Sequence, residues 1–291
     1  MITAYLVHLV IIIAIQLILC LSLQIAIGYT GLLNFGHIAF FAIGAYTSAL
    51  LTINGVPFIW AFLAAAIVAA IFAYLLSIPT NKLKGDYLAL ATIGFSFLVY
   101  AILINWTGLT RGPLGIPGIP KPEIFGIVFS SNYSFLILTV IITIICWFLI
   151  KKIVNSKFGT VLQAVRDDES AAKALGKNTF KVKTIGLMVS AFFAGIAGSL
   201  FAHFITFIDP SSFTFMALIP VISIIIIGGL ASIRGTVIAT IVLTLIPEIL
   251  RFVGLPSSLV GPGRQIIFAL ILLIILLYYP KGFYGKIELA T

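Results

Sequence analysis

The sequence predicts an all-α polytopic membrane protein with about nine to ten transmembrane or re-entrant helices in one bundle, and three observations carry that expectation. Of 291 residues, 62% are apolar and only 9% are charged, against roughly 25% charged in an ordinary soluble domain. Mean hydropathy is +1.25. A spanning helix takes about 20 apolar residues, so nine spans would use about 180, which is what 62% of the chain supplies. A water-soluble enzyme, a secreted disulfide scaffold and a disordered chain are disfavoured together. Residues 1–291 read as a single transmembrane domain.

The first apolar run, Tyr5 to Ile27, is too long for a signal peptide and lacks its basic flank and small-residue cleavage site. It reads as a retained span, and the bulky Leu19 before Cys20 argues against lipoprotein cleavage. Further spans are expected near 33–53, 58–78, 87–105, 132–150, 183–205, 213–230, 235–252 and 265–280. Asn34, Gly36 and His37 crowd the start of the second, and Pro247 interrupts the eighth. Such residues persist in spans only where neighbours or water satisfy the freed backbone groups, so a broken or re-entrant element is expected around 28–44. Ala61, Ala65, Ala69 and Ala73 recur every four residues, as do Ala191, Gly195 and Ser199. Both stripes suit close helix contact within the bundle. Cys20 and Cys146 lie inside apolar runs, with neither disulfide nor metal spacing.

Charge sets the orientation. If the 151–182 loop is cytoplasmic, alternation puts 79–86, 231–234 and the C-terminus on the same side, which then holds 13 of the 17 Lys and Arg residues. The other side keeps Arg111, Lys121, Arg251 and Arg264, a positive-inside split. The net charge of +9 is thus a topology signal and no sign of a nucleic-acid partner. Nine spans would put the N-terminus outside; a re-entrant pair counted differently would put it inside.

Groups for catalysis are missing from the pattern. No phosphate-cradling G-x-x-x-x-G-K-[ST] occurs, so ATP, if used, is used by a partner. His8, His37 and His203 are scattered, without metal-ligand spacing, and no cofactor or metal is expected on this chain. Asp86, Asp209 and Glu248 sit at segment edges or in loops, the last three residues before Arg251 in ion-pair register. Transport without enzymatic activity is the leading reading. A stand-alone ion-coupled carrier is weakened by the lack of buried carboxylates, and a membrane-embedded enzyme by the lack of an acid–base or metal set.

The most informative stretch runs from Lys157 to Lys183. Phe158, Val161, Leu162 and Val165 recur at helical spacing opposite Arg166, Asp167, Asp168, Glu169 and Lys173, which predicts an amphipathic surface helix over 158–175, stopped by Gly176. Ser170, Ala171, Ala172 and Ala174 form a small-residue patch on which another protein surface could lie close.

"SAAKALG", Ser170 to Gly176, resembles the EAA loop of ABC-importer permeases, with Glu169 one residue ahead of the expected position. "GYTGLLNFGHIAFFAIGAYTSALL" from Gly28, "DYLALATIGFSFL" from Asp86, "TGLTRGPLGIPGIP" from Thr107, "IDPSSFTF" from Ile208, "GGLASIRGTVIATIVLTLIPEILR" from Gly228 and "YYPKGFYG" from Tyr278 together resemble the LivM-type permeases of branched-chain amino-acid ABC transporters. The likeness covers roughly residues 28–285 in order. It implies a permease in a prokaryotic cell membrane, paired with a LivH-like permease, two cytoplasmic ATPases and an extracytoplasmic binding protein that delivers aliphatic amino acids. It also implies that 157–182 is a coupling loop, with Arg166, Asp168, Glu169, Ala171, Ala172 and Gly176 as ATPase-docking positions, and that Arg111, Asp209 and Arg264 meet the binding protein, a plain solvated loop being the equal alternative for each of these three. Asn34, His37, Thr92, Ser96 and Ser190 are the polar groups in or at the ends of spans, where such groups turn toward protein or a watery cavity. They are the candidates for the pathway, Asn34 and His37 foremost, and inter-helix hydrogen bonding is the competing role for each.

Overall fold

The computed structural model describes residues 2–80, 82, 83, 85–124 and 126–252, with side chains to 246, and a few positions beyond: Gly263, Ile266, Leu270, Leu273, Phe283 and Tyr284. Most of the expected span at 265–280, Arg264 and the C-terminal lysines lie outside what is described, as do the side chains of Pro247, Glu248 and Arg251; the backbone runs helical through Ile233–Phe252, without the interruption expected at Pro247.

Most of the long apolar runs among the described residues are helical, because lipid offers backbone groups no partner and a helix satisfies its own. α1 (Ile2–Gln24) runs into a π-helical turn, Ile25–Tyr29. α2 (His37–Ile53), α3 (Phe58–Thr80) and α4 (Asp86–Asn105) follow. A short helix, α5 (Thr107–Thr110), leads to strands β1 (Ile116–Pro117), β2 (Glu123–Ile124) and β3 (Ile127–Val128). Then come α6 (Asn132–Val154), α7 (Lys157–Asp167), α8 (Glu169–Ala174) and α9 (Thr179–Ile205). β4 (Phe207–Ile208), two 3-10 turns, α10 (Leu218–Gly228) and α11 (Ile233–Phe252) are the last elements among the described residues. Among the described residues, five segments are long and apolar enough to cross a membrane: Thr3–Tyr29, α3, α4, α6 and α9.

Two expected spans take a different form. The helix ends at Tyr29, the chain crosses 30–36 in non-helical backbone with Gly31 at φ +72°, and α2 then runs unbroken from His37. The break thus falls between two helices. The span expected at 213–230 is corrected more sharply. Residues 210–217 form 3-10 turns, and α10 has 11 residues, about 16 Å of rise against a hydrocarbon core of about 30 Å. Asp209 causes this: its carboxylate caps the turn at Ser212 N (3.3 Å) and draws in the Ser211 and Ser212 hydroxyls, with Pro210 next to it. α10 stops at Gly228, and Gly229, at φ +98°, turns the chain into α11.

The small-residue stripes do pack inside the bundle. Ala61, Ala65, Ala69 and Ala73 on α3 are fully buried, as are Ala191 and Ser199 on α9. A methyl group at Gly195 would lie 2.7 Å from the Ala65 carbonyl oxygen, and one at Gly44 would lie 2.4 Å from the Gly195 backbone. At Gly198 it would lie 2.1 Å from the Phe41 carbonyl oxygen, so α2, α3 and α9 approach backbone to backbone. α1 packs on this trio through α9 and is flanked by α6, α10 and α11. Gln24 at its end donates to Gly229 O at 2.7 Å and Thr236 Oγ1 at 3.0 Å, which pins the α10–α11 turn.

Candidate functional site

The stretch expected to form one amphipathic helix is a hairpin of two. Asp168 leaves helical geometry at φ −150°, ψ 100°, and its carboxylate accepts from Ser170 N (2.8 Å) and Ala171 N (2.9 Å). The cap outcompetes helix continuation because Asp offers the orphan amides a charged acceptor. α7 buries Leu162 and Val165. At the other end of α8, Gly176 takes φ +76°, and the amide of Lys177 closes back onto Ala172 O at 3.1 Å, a left-handed stop that favours glycine.

The six docking candidates divide into two sets. Arg166 points into its own chain: Nη1 donates to Gly28 O at 2.7 Å, its stem lies over Gly31, and its other face pairs with Asp167 at 2.7 Å. Glu169 binds Lys183 Nζ at 2.5 Å, Lys173 Nζ at 3.0 Å and the Thr179 hydroxyl at 3.0 Å. Burial raises its pKa, but the three donors and the Lys183 charge outweigh that and hold the carboxyl down at about 2. Ala172 is 3% exposed and faces the bundle as well, so the small patch does not lie whole on the outer surface. Asp168, Ala171 and Gly176 are exposed, together with Ser170, Ala174 and Leu175, the last at 79%. The hairpin therefore has an inner face that grips the bundle and an outer face with little holding it.

Arg166 reaches the π turn, and just beyond that turn the pathway candidates gather. Ser22 donates to Leu19 O at 2.7 Å and meets His37 Nε2 at 2.8 Å. With the serine proton already committed, the network assigns the ring proton to Nε2, leaving Nδ1 to accept from the Asn34 amide at 3.4 Å. Ser190 donates to Ser22 O at 2.6 Å. Thr92 accepts from Phe35 N at 3.0 Å, and Ser96 donates to Phe35 O at 3.3 Å, so α4 holds the non-helical stretch by its free backbone groups. All five candidates are buried and hydrogen-bonded. Asn34 and Thr92 also line a void of about 20 Å³.

At the opposite end, β1 pairs antiparallel with β4, Ile116 with Ile208. This brings the loop after Arg111 beside Asp209: a methyl at Gly115 would lie 3.0 Å from Asp209 Cβ. Arg111 is exposed, at φ +62°. His203, dismissed in the sequence as a scattered histidine, joins this end to the bundle. Its Nδ1 donates to Pro120 O (2.8 Å), its Nε2 accepts from Ser48 (2.9 Å), and Ser199 donates to Ser48 (2.7 Å). No local motif reports a bond from residue 203 to residue 120.

Fold and site together define a multi-pass helical membrane protein with a helical hairpin at one end, keyed to a broken, polar-lined segment in the bundle. The chain belongs to the family described as branched-chain amino acid transport system / permease component, whose model matches residues 5–278. It is similar to the high-affinity branched-chain amino acid transport system permease protein LivM of Escherichia coli K12, 35% identical over 277 residues, 87% of this chain and 65% of that protein. Similarity extends to the corresponding LivH protein of Escherichia coli K12, 29% identical over 91% of each chain, and to the probable LivM of Methanocaldococcus jannaschii, 25% identical over 94% of this chain and 91% of that one. The chain spans 65% of the length of the Escherichia coli and Salmonella typhimurium LivM proteins. No solved structure matches it.

Proposed function

We propose that this chain is a non-enzymatic permease subunit of an ABC importer. It forms, with a LivH-like permease, the pathway for branched-chain aliphatic amino acids handed over by an extracytoplasmic binding protein, and two separate ATPases drive it with ATP. The observation that supports this best is the Arg166 bond to Gly28. It makes the α7–α8 hairpin a lever, with an outer face free for an ATPase and an inner face attached to the backbone that leads to His37. On this reading the hairpin and C-terminus are cytoplasmic, consistent with eight basic residues between 151 and 183. Arg111, Asp209 and Arg264 face the binding protein.

Single-cysteine labelling combined with ATPase co-purification tests the reading. Cysteines at Lys157 and Lys177 should stay unreactive to an impermeant thiol reagent in intact cells and react in inverted vesicles, and the ATPases should copurify with the permease. External reactivity at both sites, or a functional carrier purified with no ATPase, contradicts it.

A further inference from the structure

A cavity of about 190 Å³ lies between α1, α2, α9, α10 and the 3-10 turn after Asp209. Gln16, Ile38, Phe41, Phe201, Ser212 and Val221 are among its lining residues. Gln16 is the middle residue of the run Thr3–Tyr29, yet its amide makes no hydrogen bond among the described residues, and it is only partly buried. A primary amide left without a partner at mid-membrane is costly. Its neighbours on α1 do better: Ser22 is bonded to Leu19 and His37, and Gln24 donates its amide N–H to Gly229 and Thr236, though its Oε1 is buried without a partner.

The surroundings indicate what would meet that amide. The walls are mainly branched aliphatic and aromatic, and the volume equals about six waters at roughly 30 Å³ each, so the space suits a small body with an apolar bulk and one polar end. Ser212, whose hydroxyl donates to Asp209 at 2.5 Å, is the other polar lining group. Further along α2, away from His37, the Tyr46 hydroxyl is buried without a partner. Along α1 and α2 in the other direction, the cavity adjoins the cluster of Ser22, His37 and Asn34, because Leu19 and Ile38 belong to its lining. The cavity thus lies between the unpaired Tyr46 hydroxyl on one side and, on the other, the hydrogen-bonded polar cluster beside the non-helical stretch that Arg166 grips.

We propose that this cavity is a transient seat for an aliphatic amino acid in transit: the branched side chain rests against Ile38, Phe41, Phe201 and Val221, and the Gln16 amide meets the polar end. The assignment rests on the permease reading above. A fatty acyl chain would leave Gln16 unsatisfied, and a helix of the partner permease is the rival occupant that the experiment separates.

The test uses the whole transporter, with its partner permease, ATPases and binding protein, in liposomes. Gln16→Leu should lower leucine uptake at least tenfold, and Val221→Trp should abolish it, with subunit stoichiometry after extraction as the control for assembly. Val221→Cys, a small change, keeps the test open if the tryptophan variant fails to assemble. Its reaction with a small methanethiosulfonate reagent should slow at least threefold when leucine-loaded binding protein and ATP are present, against a wild-type background from the buried Cys20 and Cys146. Wild-type uptake with unimpaired Gln16→Leu and a leucine-indifferent Val221→Cys overturns the seat and leaves the permease reading standing. Cross-linking of Val221→Cys to the partner permease, unaffected by leucine, assigns the cavity to a subunit contact and also overturns the seat. No uptake by the wild-type transporter overturns the permease reading and the seat with it.

Discussion

Arg166 Nη1 donates to the carbonyl oxygen of Gly28 at 2.7 Å, across 138 residues of sequence, and the arginine stem occupies the space a side chain at Gly31 would need. The bond reaches a carbonyl in the π turn, immediately before the chain leaves helical geometry. A force on α7 is therefore delivered to the backbone that leads directly to Asn34 and His37.

Arg166→Ala should cut leucine uptake per ATP hydrolysed about tenfold, since a charge-assisted hydrogen bond contributes about 1.5–3 kcal/mol. Arg166→Lys should recover only part of the coupling, because one ammonium cannot serve both Gly28 O and Asp167 in Arg166's planar geometry. Coupled uptake and hydrolysis measured in proteoliposomes check this, and wild-type coupling in the alanine variant would contradict it.

Glu169 clamps the hairpin to α9. Its carboxyl is depressed to about 2 in the folded chain from an ordinary value of 4.5, so the stabilisation is fully present above about 4.5 and is lost as pH falls toward 2. Amide exchange in α8 should accelerate across that window in the wild type. In Glu169→Gln it should be fast already at neutral pH, at a cost on the order of 1–3 kcal/mol, with no further acceleration from this group.

The two faces of α8 should answer differently to charge. Ala171→Arg and Leu175→Glu, both on the exposed side, should remove ATPase copurification and leave thermal stability unchanged. Ala172→Arg should instead lower stability, because its 3% exposure leaves a charge no solvent and no partner. Equal loss of stability in all three would contradict the division.

Much of this architecture is legible in the sequence. The long apolar runs report α1, α3, α4, α6 and α9, the four-residue stripes through Ala65 and through Gly195 report the close packing of α3 and α9, and Gly176 reports the end of the hairpin. Other features lie beyond local pattern. Asp168 sits in an Asp-Asp-Glu run that serves equally as a helix's polar face or as a cap, and the choice depends on where α7 docks. Arg166 and Glu169 read as surface charges because their partners, Gly28 and Lys183, are joined to them only by the fold. Hydropathy treats Phe213–Gly228 as one run, since it cannot tell a 3-10 turn from an α-helix; only the Asp209-Pro210-Ser211-Ser212 cluster hints at the turn. Gln16 disappears for a similar reason, as one amide barely alters the average of a 27-residue apolar segment.

The most direct test of the central claim is amino-acid accumulation by the reconstituted transporter, measured with and without ATP and binding protein. Uptake of leucine, isoleucine and valine should require both, with no uptake of lysine or glutamate at matched binding-protein occupancy. Leucine accumulation that needs neither ATP nor binding protein, or stimulation by a charged amino acid alone, would contradict it.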